Sequence, residues 1–231
     1  MPKTSTLIAS SIFVLLVAAA TATVRLPEWT IFSEPFIASA HAQAIEWQKV
    51  DDALGRKPAV SGDVRRYGFP RSDLTVMLDG VPIKPSLALG GWLAFKPMHG
   101  EAMVMGDLVL LETEVRPVMA KLVVGGLEIT AVHNHLLRAS PETFYMHEGG
   151  HGDPVKMAGV IHDALAAGKT PLTASPAAAP SEIELDTEQL DQIIGVKGQN
   201  NGGVYAFAVP RRGPISEGGM EIAPPGPMGL A

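Results

Sequence analysis

The chain has 231 residues, 46% hydrophobic and 18% charged, enough apolar material for one ordinary domain with appendages or for two small ones. Lys and Arg total 18 against 24 Asp and Glu, a formal charge of -6 with no long basic run, which argues against nucleic-acid binding driven by phosphate contacts. There is no cysteine, so disulfides, thiol nucleophiles, cysteine-based zinc fingers and a lipid-modified cysteine are excluded, and any metal must be held by His and carboxylates.

Lys3 precedes an uncharged apolar run from Leu7 to Val24 with small residues beyond it, the pattern of an export segment. Two cleavage patterns compete, "ATA" at Ala20 to Ala22 and "AHA" at Ala40 to Ala42. An uncleaved anchor is the alternative, because the run approaches the roughly 18 residues at which spanning becomes possible. Residues 1–42 are therefore read as a signal peptide or N-terminal anchor. The folded part is expected outside the cytoplasm, periplasmic or extracellular, with no stable membrane span once the segment is cleaved.

From Ile45 to Leu89 the chain is rich in Gly and Pro, and the pattern predicts a helix over Trp47 to Leu54 followed by short strands such as "LTVML" (Leu74 to Leu78). Trp92 to Met98 and Ala102 to Leu110 read as two strands joined by a turn at His99, Gly100 and Glu101. Thr113 is positioned to cap a helix whose apolar residues Val115, Val118, Met119, Leu122 and Val123 share one face, and Gly125 and Gly126 end it. "LEITAVHNHLL" (Leu127 to Leu137) alternates as a strand, "RASPE" (Arg138 to Glu142) is turn-like, and "TFYMH" (Thr143 to His147) is a second strand. Asp153 and Pro154 open a helix with Met157, Ile161, Ala164 and Leu165 on one face and Gly168 at its end. The expected fold class is α+β: an antiparallel or mixed sheet with two helices packed on one face, a ferredoxin-like sandwich, preceded by a short helix and a strand-rich segment.

Residues 45–172 thus form the main domain. The composition of Ala174 to Pro180 collapses to Ala, Pro and Ser, so 173–184 read as a linker. Beyond it, "LDQIIGVKGQNNGGVYAFAVPR" (Leu190 to Arg211) aligns without gaps on "VDDALGRKPAVSGDVRRYGFPR" (Val50 to Arg71), at an offset of 190 minus 50, or 140 residues. Residues 185–231 are expected to be a truncated second repeat of the domain.

Four of the seven histidines fall between His133 and His151. On a strand, residues two apart share a face, so His133 and His135 continue the apolar face of Leu127, Ile129 and Ala131. With Arg138 to Glu142 as the hairpin loop, counting back places Tyr145 opposite His135 and His147 opposite His133. Gly149 and Gly150 then allow His151 to fold back over the same patch. His133, His135, His147 and His151 are the predicted ligands of a divalent transition metal, zinc first among them, and Glu148 and Asp107 are candidate catalytic carboxylates. Asp107 interrupts the apolar run "MVMGDLVL", either at a bulge marked by Gly106 or aimed into the site. Asp153 is equally explained as a helix cap, His162 reads as surface, and His99 is expected in an exposed turn.

The strings "YGFPRSDL", "DGVPIKP", "AMVMGDLVL", "EVRPVMAKL", "EITAVHNHLL" and "YMHEGGHGD" resemble the LppY/LpqO family of bacterial exported proteins, a domain of unknown function, over roughly Trp47 to Leu172. The resemblance implies export and a shared histidine motif, and a unit that occurs in two copies. It brings no established activity. Three functions follow from the residues: an exported module binding a transition metal or a small ligand, a metal-dependent hydrolase, or a cell-envelope interaction protein with purely structural histidines. No phosphate loop, dinucleotide fingerprint or serine nucleophile motif is present.

Overall fold

The structure is a computed structural model that describes residues 44–173, 181–209, 213, 215–217 and 219–222. The export segment expected over 1–42 and the Ala/Pro stretch 174–180 lie outside the described residues.

Helix α1 (Trp47–Leu54) buries Val50 and Leu54 and stops at Gly55, whose left-handed backbone (φ 66) a side chain would strain. The chain continues through β1 (Ala59–Ser61), β2 (Val64–Pro70), β3 (Val76–Leu78), β4 (Val81–Ile83) and the short helix α2 (Pro85–Ala88). Two long strands follow, β5 (Gly90–Met98) and β6 (Glu101–Leu111), and His99 and Gly100, both at positive φ, make the two-residue turn between them. Next come α3 (Glu112–Val124), β7 (Glu128–His133), β8 (Ala139–Ser140), β9 (Thr143–Gly152) and α4 (Pro154–Ala167).

Six strands form one antiparallel sheet in the order β1-β2-β5-β6-β9-β7. Strand β9 lies between β6 and β7, so the β6-α3-β7 segment is a split crossover, as expected for a ferredoxin-like arrangement. Alternate residues of the sheet, among them Leu93, Phe95, Val104, Leu108, Leu110 and Met146, pack against Val118 and Leu122 of α3 and Met157, Ile161 and Leu165 of α4. Truncating one of these side chains to Ala is worth on the order of 2–5 kcal/mol.

Helix α3 begins one residue earlier than its predicted cap. Thr113 sits inside the first turn, and the Glu114 carboxylate instead accepts the Leu111 backbone N–H at 2.8 Å. The same carboxylate pairs with the buried Arg71 guanidinium at 2.6 Å, tying the segment after β2 to the end of β6.

The face turned away from the helices has two zones. At one end a three-stranded sheet, β4-β3-β8, covers it and packs Val76, Leu89, Val109, Ala139 and Tyr145 together. Further along lie Val64, Ala94 and Met103, with Trp92, Met98 and Met105 against them.

After the linker come α5 (Thr187–Ile194), β10 (Gln199–Asn200), β11 (Tyr205–Ala206), β12 (Ile215–Glu217) and β13 (Met220–Ile222). Both ends of α5 stand 140 residues after those of α1 (187 minus 47; 194 minus 54), and Gly195 repeats the left-handed cap of Gly55. The hairpin pair Gln199↔Ala206 likewise stands 140 residues after Ala59↔Arg66 (199 minus 59; 206 minus 66). In each segment a tyrosine hydroxyl donates to the same helix aspartate, Tyr67 to Asp51 and Tyr205 to Asp191. Among the described residues, no helix is long and apolar enough to cross a membrane.

Candidate metal centre

The uncovered part of the outer sheet face is where the histidines meet. Strand β6 pairs with β9 in unbroken register from Ala102 to Leu111, so Gly106 marks no bulge and Asp107 lies directly opposite His147. On the other side of β9, Ala131 stands opposite His147 and His133 opposite Tyr145. This corrects the expected hairpin, in which His147 faced His133 and Tyr145 faced His135. Two features move the register by two residues. Strand β7 stops at His133 because the following chain leaves the sheet to pair Ala139 and Ser140 with β3, and β7 carries an irregularity between Ile129 and Ala131. Side chains alternate with a period of two, so the shift keeps every histidine on its predicted face.

His135 lies just past the end of β7, and its ring stacks on Tyr145 with centroids 3.6 Å apart and planes 13° from parallel. The Tyr145 hydroxyl donates to the Ala88 carbonyl at 2.5 Å, which anchors the platform. The Nε2 atoms of His133 and His135 approach to 2.9 Å, and the ring centroids of His133 and His147 are 4.9 Å apart. One ring nitrogen from each of His133, His135 and His147 lies within 4.8 Å of the other two.

Asp107 completes the group electrostatically. Its Oδ1 is 3.7 Å from His147 Nε2, and both atoms are buried without a hydrogen-bond partner. Burial pushes the Asp107 carboxyl up, against the pull of His147, His135, His133 and Arg66. Burial likewise holds the His135 imidazole below its ordinary value, opposed by Asp107 and reinforced by His133 and His147. A neutral imidazole offers a free lone pair, the form a metal ligand requires. Three such nitrogens beside an orphaned carboxylate oxygen are a donor set that fits a divalent transition ion.

The family described as a Domain of Unknown Function (DUF1259) matches residues 48–167, more than half of the chain. The chain belongs to this family. The DUF1259 domain here runs from within α1 to the end of α4, so it contains the whole six-stranded sheet and the histidine group. No curated protein and no solved structure matches the chain.

Two of the predicted site residues of the DUF1259 domain lie elsewhere. His151 faces the same side as His147 but four residues further along β9, about 13 Å at the rise of an extended strand. Gly149 and Gly150 do not fold it back, because both are paired within the sheet; the His151 ring sits 3.3 Å from a Glu101 carboxylate oxygen instead. Glu148 points to the helix side. It is 2% exposed, neither carboxylate oxygen has a hydrogen-bond partner, and burial, then Asp107, pushes its pKa well above the ordinary carboxylate range. Space for the carboxyl comes from Gly106 directly opposite, where a Cβ would stand 1.8 Å from Glu148 Oε1.

The remaining candidates have local roles. Asp153 caps α4 by accepting the Val155 and Lys156 N–H groups, His162 lies half-exposed beside Asp163, and His99 is exposed in its turn. Sequence reasoning missed Arg66, whose guanidinium lies 3.8 Å over the Trp92 ring and whose charge acts on Asp107. The available signal was parity: Arg66 shares a face with Val64, and Trp92 pairs directly with Asp107.

Proposed function

We propose that this DUF1259 domain binds a divalent transition ion, zinc foremost, through His133, His135 and His147. The observation that carries the reading is the approach of three imidazole nitrogens to within 4.8 Å of one another on one sheet face. Asp107 is placed to act as a fourth ligand or as the hydrogen-bond acceptor that orients His147. The test is elemental analysis of protein purified without a histidine tag. One equivalent of metal in the parent, lost in His133→Ala and in His147→Ala, supports the reading. Metal-free protein whose stability does not change on adding zinc defeats it and leaves the histidines a structural role.

A second reading, a metal-dependent hydrolase, rests on Asp107. Three protein ligands leave one coordination position for substrate or water, and an ion held there supplies Lewis acidity. The raised Asp107 carboxyl beside His147 would then take the proton from the attacking water. Glu148 has no part in this step, since it opens onto the other face. Activity of the zinc-loaded protein on generic esters and phosphoesters, abolished in Asp107→Asn with zinc still bound, separates this reading from simple binding.

We further propose that the protein is exported and that the chain past the linker opens a second copy of the domain. The charge pattern of residues 1–42 supports the first, and the common 140-residue offset of helix ends, cap and hairpin register (187 minus 47; 199 minus 59) supports the second. The LppY/LpqO resemblance covers nearly the same span as the family match, 48–167, and is proposed to refer to the same domain.

A further inference from the structure

We infer that the outer sheet face carries a second, soft-metal site, for Cu(I), formed by Met103, Met105 and His151. It goes beyond the three-histidine reading and shares none of its three ligands.

The register assembles the site. Met103 and Met105 alternate onto the outer face of β6, and Met103 lies directly opposite His151 on β9. Directly opposed residues have Cβ atoms about 4.5–5.5 Å apart, within reach of a methionine side chain and an imidazole. Met105 lies opposite Gly149, and the absent side chain there leaves a cavity of about 240 Å³ lined by Met103, Met105, His147, Gly149 and His151. A Cβ on Gly149 would meet only the Val104 carbonyl, at an ordinary 3.6 Å, so the space is not needed to relieve a clash. Met103 is only 4% exposed, which keeps its thioether from bulk water.

The chemistry of the donors selects the ion. Thioether sulfur is neutral, polarisable and a poor ligand for hard or borderline divalent ions, but with imidazole it suits Cu(I). A strand face that needed only apolar filling would be served by β-branched residues, which suit the pleated surface better than flexible methionine. The two sites thus divide by hardness: nitrogen and carboxylate around His147 for a divalent ion, sulfur and nitrogen around His151 for a monovalent one.

The experiment is anaerobic titration of the full chain with Cu(I) against a chromophoric Cu(I) chelator. The expected result is one tightly held Cu(I) in the parent and in His133→Ala/His135→Ala. Affinity should fall by about tenfold or more in Met103→Leu/Met105→Leu, a volume-conserving pair, and in Gly149→Val, which fills the cavity. X-ray absorption of the Cu(I)-loaded parent should show sulfur neighbours, a readout that does not depend on the variants folding. Cu(I) bound equally by the Met→Leu pair, lost with His133 and His135, or coordinated by nitrogen alone overturns the inference. Zinc content unchanged in the Met→Leu pair shows that the two sites stand or fall separately.

Discussion

His147 and Glu148 are consecutive in the chain, yet their side chains leave β9 on opposite faces of the sheet, one opposite Asp107 and the other opposite Gly106. The imidazole meets other histidines, while the carboxyl enters a hydrophobic core with no partner for either oxygen.

Burial raises the Glu148 pKa above its ordinary 4.5, so the folded protein holds that proton more tightly than the unfolded chain. This contribution to stability is complete below the ordinary value and is lost as pH rises toward the folded one. Each unit of difference is worth about 1.4 kcal/mol. Glu148→Gln cannot ionise, so its melting temperature should rise relative to the parent as pH goes from about 4 to 8. Parallel melting curves across that range would show the carboxyl to be solvated.

His135→Ala should weaken zinc binding by about tenfold or more, and His151→Ala should leave it unchanged, because only His135 belongs to the three-nitrogen group. Competition with a zinc chelator measures both. Binding should also weaken below about pH 6, where imidazoles protonate. For His135 the sign is set by burial: its lowered pKa keeps it neutral to more acidic pH than an unperturbed histidine.

Gly106→Ala should destabilise the domain by about 1–3 kcal/mol or more. The new methyl would stand 1.8 Å from Glu148 Oε1, 2.7 Å from Leu93 Cδ2 and 2.8 Å from the Trp92 carbonyl oxygen. Removing the Glu148 side chain relieves only the first of these contacts. A double-mutant cycle with Glu148→Ala should therefore show positive coupling without full rescue, read by urea denaturation.

Arg71→Met should cost about 3–5 kcal/mol, since it leaves Glu114 as a buried, uncompensated charge. The guanidinium, 1% exposed, also donates to the Val109 carbonyl at 2.8 Å and to Asp73. Arg71→Met/Glu114→Leu should recover part of that loss, because both charges are then gone. A double variant as unstable as the sum of the singles would show that the pair does not interact.

Much of the fold was readable along the chain wherever a feature depended on neighbours a few residues away. Trp47 to Leu54 forms the predicted helix, Asp153 and Pro154 open α4 as their side chains require, and His99 and Gly100 turn β5 into β6. The parity of His133, His135 and His147 was also legible, because alternation is a property of each strand. The same rule, applied to residues 147 and 148, separates Glu148 from the histidines by position in the strand alone.

What the linear order could not supply was partnership at a distance. The segment between β7 and β9 folds away because Ala139 and Ser140 find an edge on β3, about sixty residues earlier in the chain, and that detour resets the hairpin by two residues. His151 stays apart because Gly149 and Gly150 pair with β6 rather than bend. Sequence by itself determined which residues share a face, since backbone geometry repeats every two positions. Only the tertiary structure decided which faces meet and at what height along the strands, because hydrogen-bonded register is chosen by the whole sheet at once.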